Sequence, residues 1–279
     1  PGLSGNDLCA YVAAGIGSDH ECTSLNEALE KLRLGMTIMV REGSTTHNLE
    51  DLLPLVMPGN ASHCFFVSDD RHPADLLTRG HMDAILRQAQ PQELLPPVML
   101  VQMATLNAAR YFLLRDVGAV APGYRADMVV VDDLETFQVE MVFKDGRLVA
   151  RDGVMLEEAL PAGRTLPPST FQVTDLRAGR FAIPAQGERV HVIGVVPGQV
   201  VTRALVEDAR VEDGQAVADL ERDLLKIAVV ERHRGSGNVG LGFVRGFGLK
   251  RGAIASSVSH DSHNVVVVGC SDAEMARAV

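Results

Sequence analysis

The sequence predicts an α/β protein with antiparallel hairpins and a second domain, and three features of the 279-residue chain indicate this organisation. Over residues 1–90, short apolar strands alternate with helical patterns, and short connections join them, as in a parallel α/β sheet. Over 118–153, β-branched runs are separated by Asp-Asp and Asp-Gly turns, which predict antiparallel hairpins. The stretch 161–170 is rich in Pro, Gly and Thr and is typical of a linker, so 171–279 form a second predicted domain.

The individual elements follow from apolar spacing and from capping residues. An S-x-x-E capping box at Ser24 and Glu27 predicts the start of a helix that Gly35 ends. The predicted strands of the parallel sheet are 15–18, 36–40 and 63–68. The other predicted helices are 8–14, 49–56, 73–79, 82–90 and 98–113. The strands predicted in the second domain are 190–196, 225–230 and 265–268.

The composition argues against several classes of function. A net charge of −10 argues against a nucleic-acid partner, because a surface that follows phosphates needs a basic patch. No apolar run approaches the roughly 18 to 20 residues that span a bilayer, so we expect no membrane partner. The 4 cysteines are scattered singly without a C-x-x-C pair. This pattern favours a cytoplasmic protein over a disulfide framework or a thiolate zinc site.

A glycine-rich motif in the second domain has the spacing of a dinucleotide-binding loop. Gly235, Gly237 and Gly240 form G-x-G-x-x-G after an apparent strand. A dinucleotide site requires a helix to begin at the third glycine, whereas glycines here continue at strand-like spacing. We therefore expect a glycine-rich turn or a curved strand.

Polar side chains gather where the three predicted parallel strands end. In chain order they are His20, Glu21, Arg41, Glu42, Asp69, Asp70 and His72. Because the carboxyl ends of parallel strands meet at one edge of a sheet, we expect these groups to form a cluster. Imidazole and carboxylate groups suit a divalent metal that activates water. Structural roles stay open, since Asp70 has the position of a cap for a helix at Pro73 and Arg41 can pair with Glu42.

Two of the nine histidines, His260 and His263, flank Asp261 in a polar loop before a buried strand. Such a loop is either a hydrogen-bonded turn or a place where imidazoles contact a ligand. For His47, which begins a predicted helix, we expect a structural role.

Several motifs resemble bacterial adenine deaminases of the amidohydrolase superfamily. The resemblance is carried by SDHE (18–21), VREGS (40–44), SDDRHP (68–73) and HDSHN (260–264). A further motif, APGYRADMVVVD (121–132), on its own indicates only an amidohydrolase. Together these motifs cover most of the chain.

The resemblance implies a metal-dependent (β/α)8 TIM barrel with a flanking β-sandwich and an added α+β C-terminal domain. By this resemblance the chain holds the C-terminal half of the barrel and the parts that follow it. The implied segments are 1–115 for the half-barrel, 116–160 for the β-sandwich strands, 161–170 for the linker and 171–279 for the C-terminal domain.

The resemblance also implies roles for the residues at the strand ends. His20 is the metal-ligating histidine after the sixth barrel strand, and Glu21 beside it is placed to bind a purine ring nitrogen and to carry a proton. The acid after the eighth strand is a metal ligand and the proton carrier. The D-x-x-P spacing of related enzymes favours Asp70 for this role, with Asp69 as the second choice. The remaining implied substrate contacts are Arg41, Glu42, Asp69, His72, His260 and His263.

The implied reaction is the metal-dependent hydrolysis of adenine to hypoxanthine and ammonia, a step of purine salvage. The implied cofactor is a binuclear site of Mn²⁺ or Fe²⁺, and the implied enzyme is a cytoplasmic homo-oligomer. Two alternatives stay open: an amidohydrolase for another purine, a pyrimidine or a cyclic amide, and a non-catalytic paralogue that keeps the fold.

The other metal ligands of the superfamily have no counterpart in this sequence. No H-x-H pair occurs, and the chain opens on Pro1 and ends at Val279 within a helical pattern. We therefore expect a fragment that carries about half of an active site and is inactive by itself.

Overall fold

The computed structural model describes residues 2–92, 94–156, 169, 171–199 and 201–279. The chain forms two compact units, Pro1–Arg164 with Gly198–Val200, and Thr165–Pro197 with Val201–Val279. Apart from residue 169, the predicted linker 161–170 lies outside the described residues.

The first unit begins with a three-stranded parallel sheet in the order β1-β2-β3. The strands are β1 (Ser18–Asp19), β2 (Thr37–Arg41) and β3 (Cys64–Val67). The register pairs Ser18 with Thr37 and Ile38 with Cys64. The predicted parallel α/β pattern is therefore confirmed, and the carboxyl ends of the three strands lie along one edge.

Helix α1 (Gly5–Ala13) precedes the sheet, and helix α2 (Leu25–Arg33) connects β1 to β2. The hydroxyl of Ser24 accepts from the Glu27 amide at 3.5 Å, as a capping box requires. The Glu27 carboxylate reaches back to the Thr23 amide at 3.1 Å instead of the Ser24 amide. The helix ends at Arg33 with Leu34 as its C-cap, and Gly35 follows with a φ of +86° that glycine adopts readily.

Two predicted helices are shorter than their apolar spacing indicated. The predicted helix 49–56 is a single turn, α3 (Leu49–Leu52), followed by a 3₁₀ turn over Leu53–Leu55. The reason is Pro54, which has no N–H to continue the α-helical bonding. The predicted helix 98–113 is broken at Thr105.

The break at Thr105 separates α6 (Pro97–Ala104) from α7 (Leu106–Tyr111). Thr105 has φ −134° and ψ −86°, and its hydroxyl donates to the Val101 carbonyl at 2.7 Å. A threonine side chain bonded to the preceding turn competes with the regular helical bonding there. The helices α4 (Pro73–Thr78) and α5 (Met82–Ala89) agree with the predictions to within a residue.

The core of the first unit lies between the parallel sheet and helices α2, α3, α5 and α6. Burial of each large aliphatic side chain contributes about 1.5–3 kcal/mol to stability. The side chains with no exposed surface in this core include Cys22, Ala28, Ile38, Val40, Leu49, Leu52, Cys64, Ile85 and Met103.

The same unit carries a four-stranded antiparallel sheet. Its strands follow the order β4 (Met128–Val131), β5 (Val139–Lys144), β6 (Arg147–Arg151) and β7 (Val154–Met155). The Asp-Gly turns at 145–146 and 152–153 have positive φ at both residues, which is the type I′ geometry that joins tight hairpins. The predicted hairpins over 118–153 are confirmed.

The second unit is built on a six-stranded sheet in the order β14-β15-β12-β13-β8-β9, with a separate β10-β11 pair. Helix α8 (Asp272–Ala278) follows β15. The strands are β8 (Arg189–Val195), β9 (Thr202–Asp208), β10 (Arg210–Glu212), β11 (Gln215–Val217), β12 (Leu224–Val230), β13 (Val239–Arg245), β14 (Ala253–Ser256) and β15 (Val265–Gly269). The three strands predicted here are confirmed.

The glycine-rich motif of the second unit is a turn that leads into a strand. Gly235 and Gly237 have positive φ, and β13 begins at Val239. Gly240 lies within β13 and starts no helix, so the expected glycine-rich turn is confirmed. Within the described part of the chain, no helix is long and apolar enough to cross a bilayer.

Candidate active site

The candidate site lies at the carboxyl edge of the parallel sheet. His20 and Glu21 follow β1, Arg41 is the last residue of β2, and Asp69 follows β3. One ligand atom each from His20, Glu21 and Asp69 lies within 4.8 Å of the others. The structure therefore brings together side chains that are up to 49 residues apart in sequence, from 20 to 69.

Arg41 connects the carboxylates that follow the two neighbouring strands. Its Nη1 donates to Glu21 Oε1 at 2.9 Å and to Asp69 Oδ2 at 2.7 Å, and its Nη2 donates to Glu21 Oε2 at 3.3 Å. The side chain is 1% exposed. Burial lowers the pKa of Arg41, but its bonds to the two carboxylates outweigh burial, and the net pKa is raised. The guanidinium therefore stays cationic.

His20 is the most accessible member of the cluster. Its Nε2 lies 3.3 Å from Glu21 Oε1, and 46% of its side chain is exposed. An exposed imidazole beside a carboxylate is available to bind an ion or to hydrogen-bond a small molecule.

The two acids after β3 have different surroundings. Asp69 has φ +49°, a left-handed conformation that Asp tolerates better than most residues, and its carboxylate lies against Arg41. Asp70 uses its carbonyl to accept from the Ser44 amide at 2.9 Å. The N-cap of α4 is His72, so Asp70 does not occupy the cap position. The geometry therefore favours Asp69 as the acid that faces His20, whereas the choice of Asp70 from D-x-x-P spacing stays a prediction.

A close approach of the chain explains the glycine in VREGS. A Cβ at Gly43 would meet the carbonyl oxygen of Ser68 at 2.8 Å and that of Asp70 at 3.0 Å. Only glycine fits this contact without a shift of the backbone. The absence of a side chain at this position lets the segments after β2 and β3 lie side by side.

Glu42 and His72 lie outside the cluster. The Glu42 carboxylate is buried, and it contacts His47 Nδ1 at 2.6 Å and accepts from the Leu49 amide at 3.3 Å. Glu42 therefore does not pair with Arg41, and His47 has the structural partner expected of it. The His72 amide donates to the Ser44 hydroxyl at 2.8 Å.

The predicted pair His260 and His263 lies in the second unit. Their rings are 5.1 Å apart, and His260 Nδ1 lies 2.7 Å from Asp261 Oδ1. The His263 carbonyl accepts from Arg232 Nε at 2.5 Å, and the neighbouring loop is bonded through His233. The loop is thus a hydrogen-bonded turn, and a ligand contact for the two imidazoles stays a prediction.

A charged network that was not predicted from the sequence adjoins the site. Asp19 Oδ1 accepts from the Glu21 amide at 2.6 Å, and Asp19 Oδ2 binds the ammonium of Lys31. Lys31 also donates to Glu27 Oε1 at 2.7 Å and is 2% exposed. The i,i+4 spacing of Glu27 and Lys31 is a signal in the sequence, but the contact with Asp19 depends on the fold.

The same network contains a second group of potential metal ligands, and Lys31 is bonded to each of them. Ligand atoms of Asp19, Cys22 and Glu27 lie within 4.8 Å of one another, but the Lys31 ammonium binds all three. Burial, followed by the charge of Asp19, raises the pKa of Cys22 to about 12. The side chain is therefore a thiol and not the thiolate that binds metals.

The ligand atoms of His20, Glu21 and Asp69 fit part of a divalent metal site. One imidazole and two carboxylates are ligands that first-row divalent ions accept. Arg41 Nε is buried without a hydrogen-bond partner among the described residues. This N–H can therefore donate to a group that the described residues do not supply. Three ligand atoms do not complete two metal sites, so a binuclear centre needs further donors.

Comparison with known proteins defines the class. Residues 2–149 match the Amidohydrolase family, so the chain belongs to the amidohydrolase family. Residues 199–279 match the Adenine deaminase C-terminal domain. The matched residues thus comprise the parallel sheet with its cluster and most of the second unit.

Curated relatives point to a particular branch of that family. The chain is 49% identical over 279 residues to adenine deaminase 2 of Carboxydothermus hydrogenoformans, and 50% identical over 280 residues to adenine deaminase of Desulfatibacillum aliphaticivorans. Both matches cover 100% of this chain and 49% of the relative. The chain therefore spans about half the length of the curated relatives it matches.

Among solved structures, the chain is similar to the β-aspartyl dipeptidase of Fervidobacterium islandicum. The TM-score is 0.39 and the identity is 20%, over 48% of this chain and 38% of that one.

Proposed function

We propose that this chain supplies part of the active site of an adenine deaminase, a hydrolase of cyclic amidines that converts adenine and water to hypoxanthine and ammonia. One observation carries the proposal. His20, Glu21, Arg41 and Asp69 meet at the carboxyl edge of a parallel sheet, in a chain that is 49% identical throughout its length to a curated adenine deaminase. In parallel α/β folds this edge is where ligands bind.

Metal chemistry is the first part of the proposed mechanism. Amidohydrolases are generally metal-dependent, and we assign His20 and an aspartate after β3 as ligands of a binuclear Mn²⁺ or Fe²⁺ centre, with other donors from outside this chain. When bound, the metal supplies an activated water for attack on C6 of adenine. The imidazole and carboxylate donors suit these ions.

Proton transfer by this chain's own carboxylates is the second part. The acid after β3 accepts a proton from the attacking water and returns one to the departing amino group. Glu21 hydrogen-bonds a purine ring nitrogen and carries a proton to it. Positioned acids and bases of this kind accelerate reactions by roughly 10² to 10⁴-fold. Arg41 orients this machinery, because it stays cationic and binds both Glu21 and Asp69.

A substrate panel tests the proposal. The chain is co-expressed with the unmatched half of the C. hydrogenoformans relative, and the assembled protein is assayed with adenine, hydantoin and dihydrouracil in the presence of Mn²⁺. We expect adenine to be the preferred substrate, with hypoxanthine and ammonia formed in equal amounts. The His20→Ala variant serves as the inactive control.

Two outcomes contradict the proposal. Preference for hydantoin or dihydrouracil identifies an amidohydrolase that acts on cyclic amides. A folded assembly that binds the other half but turns over none of the substrates is a non-catalytic paralogue.

A further inference from the structure

The side chain of Asp19 hydrogen-bonds the segment that carries His20 and Glu21. The two oxygens of its carboxylate have separate tasks. Oδ1 accepts from the Glu21 amide at 2.6 Å, and Oδ2 binds the Lys31 ammonium. The side chain of Asp19 is 15% exposed. The position of the Glu21 backbone thus depends directly on where this partly buried carboxylate lies.

Lys31 is the cation on which the carboxylate depends. Its side chain is 3% exposed, and the ammonium also contacts Glu27 Oε1 at 2.7 Å and Cys22 Sγ at 3.8 Å. Glu27 in turn accepts from the Thr23 amide at 3.1 Å. The ammonium therefore holds both ends of the 19–23 segment, with His20 and Glu21 between them.

We propose that Lys31, acting through Asp19, is a positioning residue that fixes His20 and Glu21 for catalysis. Among the described residues, Lys31 hydrogen-bonds Asp19, Cys22 and Glu27 but no member of the cluster, so its effect passes through the Asp19 carboxylate and the Glu21 amide. This inference rests on the proposed function, because it assigns Lys31 to the same site.

The physical reason is the placement of two partly buried carboxylates around one buried cation. Asp19 and Glu27 are 15% and 10% exposed, and Lys31 is the cation bound to both. Without the ammonium, two like charges lie close together with little access to water, and the segment moves to separate or hydrate them. A misplacement of about 1 Å in a catalytic group lowers the rate by as much as roughly 10²-fold.

The test replaces Lys31 in the assembled enzyme and uses a matched control. The variant is Lys31→Met, which keeps the length of the side chain and removes its charge. The control is Lys226→Met, because Lys226 is also 2% exposed and is paired with a single aspartate, Asp272, in the second unit. Thermal unfolding, Mn²⁺ affinity by calorimetry, and kcat and KM for adenine are measured for each protein.

We expect Lys31→Met to lower kcat by about 10²-fold with a smaller change in KM, and to weaken Mn²⁺ binding by about 10- to 100-fold. The Lys226→Met control loses thermal stability but keeps kcat and Mn²⁺ affinity within about twofold. The control separates a loss of position at the site from a general loss of stability.

A pair of double variants tests the route through Asp19. In Asp19→Asn/Lys31→Met, the Asn side-chain oxygen still accepts from the Glu21 amide, and Glu27 no longer faces a second carboxylate. In Asp19→Ala/Lys31→Met, that acceptor is lost. We expect the Asn form to recover at least about tenfold of the lost kcat and Mn²⁺ affinity, and the Ala form to recover neither. These forms also decide the question if Lys31→Met alone does not fold.

The outcomes separate this inference from the function on which it rests. If the unmodified assembly does not turn over adenine, the proposed function fails, and the Mn²⁺ affinities still test Lys31. The inference is overturned if Lys31→Met keeps kcat and Mn²⁺ affinity within about threefold, if Lys226→Met loses as much, or if the Asn and Ala forms behave alike.

Discussion

Arg41 donates hydrogen bonds to Glu21, which follows β1, and to Asp69, which follows β3. Only 1% of its own side chain is exposed. A guanidinium suits this position because its fork of donors reaches two acceptors at once and it stays charged when buried. Removing a buried partner of this kind leaves its carboxylates unpaired. The arrangement of Glu21 and Asp69 therefore depends on a residue for which the sequence indicates a substrate contact or a pair with Glu42.

The first prediction concerns the two acids after β3. Because Asp69 faces His20 and Arg41, we expect Asp69→Asn in the assembled enzyme to lower kcat for adenine by roughly 10² to 10⁴-fold. We expect the equally conservative Asp70→Asn to have a much smaller effect. Steady-state assays of both variants, with Mn²⁺ content measured alongside, provide the comparison. The reverse order of effects would restore the assignment made from D-x-x-P spacing.

Residue order predicts which side chains follow a strand, but it does not give their directions. Arg41 and Glu42 are neighbours at the end of β2, where successive side chains point to opposite sides. Alternation therefore accounts for Arg41 entering the cluster while Glu42 binds His47. The choice between Asp69 and Asp70 needs the left-handed φ of Asp69, and nothing in the sequence specifies that angle.

At the scale of elements, features set by local sequence signals were predictable, whereas features set by tertiary contacts were not. Strands β2 and β3 and the Asp-Gly hairpins were predictable, because apolar runs and turn residues act within a few positions. The strand predicted over 15–18 was misplaced, since β1 is Ser18–Asp19. The break at Thr105 was not predictable, since the apolar stripe continues across it and the spacing alone favours one long helix. The bond from Lys31 to Asp19 spans 12 residues and joins a helix to a strand, so no local pattern encodes it.

The turn between β12 and β13 gives a prediction about pH. The amides of Ser236 and Arg234, with further donors from the Ser236 hydroxyl and the His233 amide, lower the pKa of Glu231 to about 2. The folded pKa lies below the ordinary 4.5, so the stabilisation is present above pH 4.5 and is lost as pH falls through about 2.

An NMR titration of the Glu231 carboxyl checks this. We expect no titration step between pH 5.5 and pH 3.5, where an ordinary glutamate is half protonated near 4.3. Glu231→Gln provides the assignment control. A midpoint near the ordinary value would show that the amides of this turn do not bind the carboxylate in solution.

At the scale of the whole molecule, the parallel sheet has two open edges among the described residues. Within that sheet β1 and β3 each pair on one side only, with β2 between them. Parallel sheets are almost always covered on both faces, and unpaired edges attract further strands. Large apolar side chains are also exposed in this unit, including Leu77, Phe112, Leu113, Leu114 and Val120.

The set of metal ligands is incomplete, as the pairing of the sheet is. The cluster supplies three ligand atoms, and the chain spans about half the length of its curated relatives. We propose that the unmatched half of such an enzyme pairs with β1 and β3 and adds the remaining ligands. The barrel predicted from the sequence stays a prediction until that pairing is measured.

Reconstitution is the most direct measurement of this account. The chain, the unmatched half of the C. hydrogenoformans relative, and the two mixed or co-expressed are each assayed for hypoxanthine formation from adenine with Mn²⁺. We predict that neither part alone forms hypoxanthine, that the two together do, and that His20→Ala in this chain abolishes the activity. Turnover of adenine by this chain alone would contradict the account, as would an assembled pair whose activity is indifferent to His20.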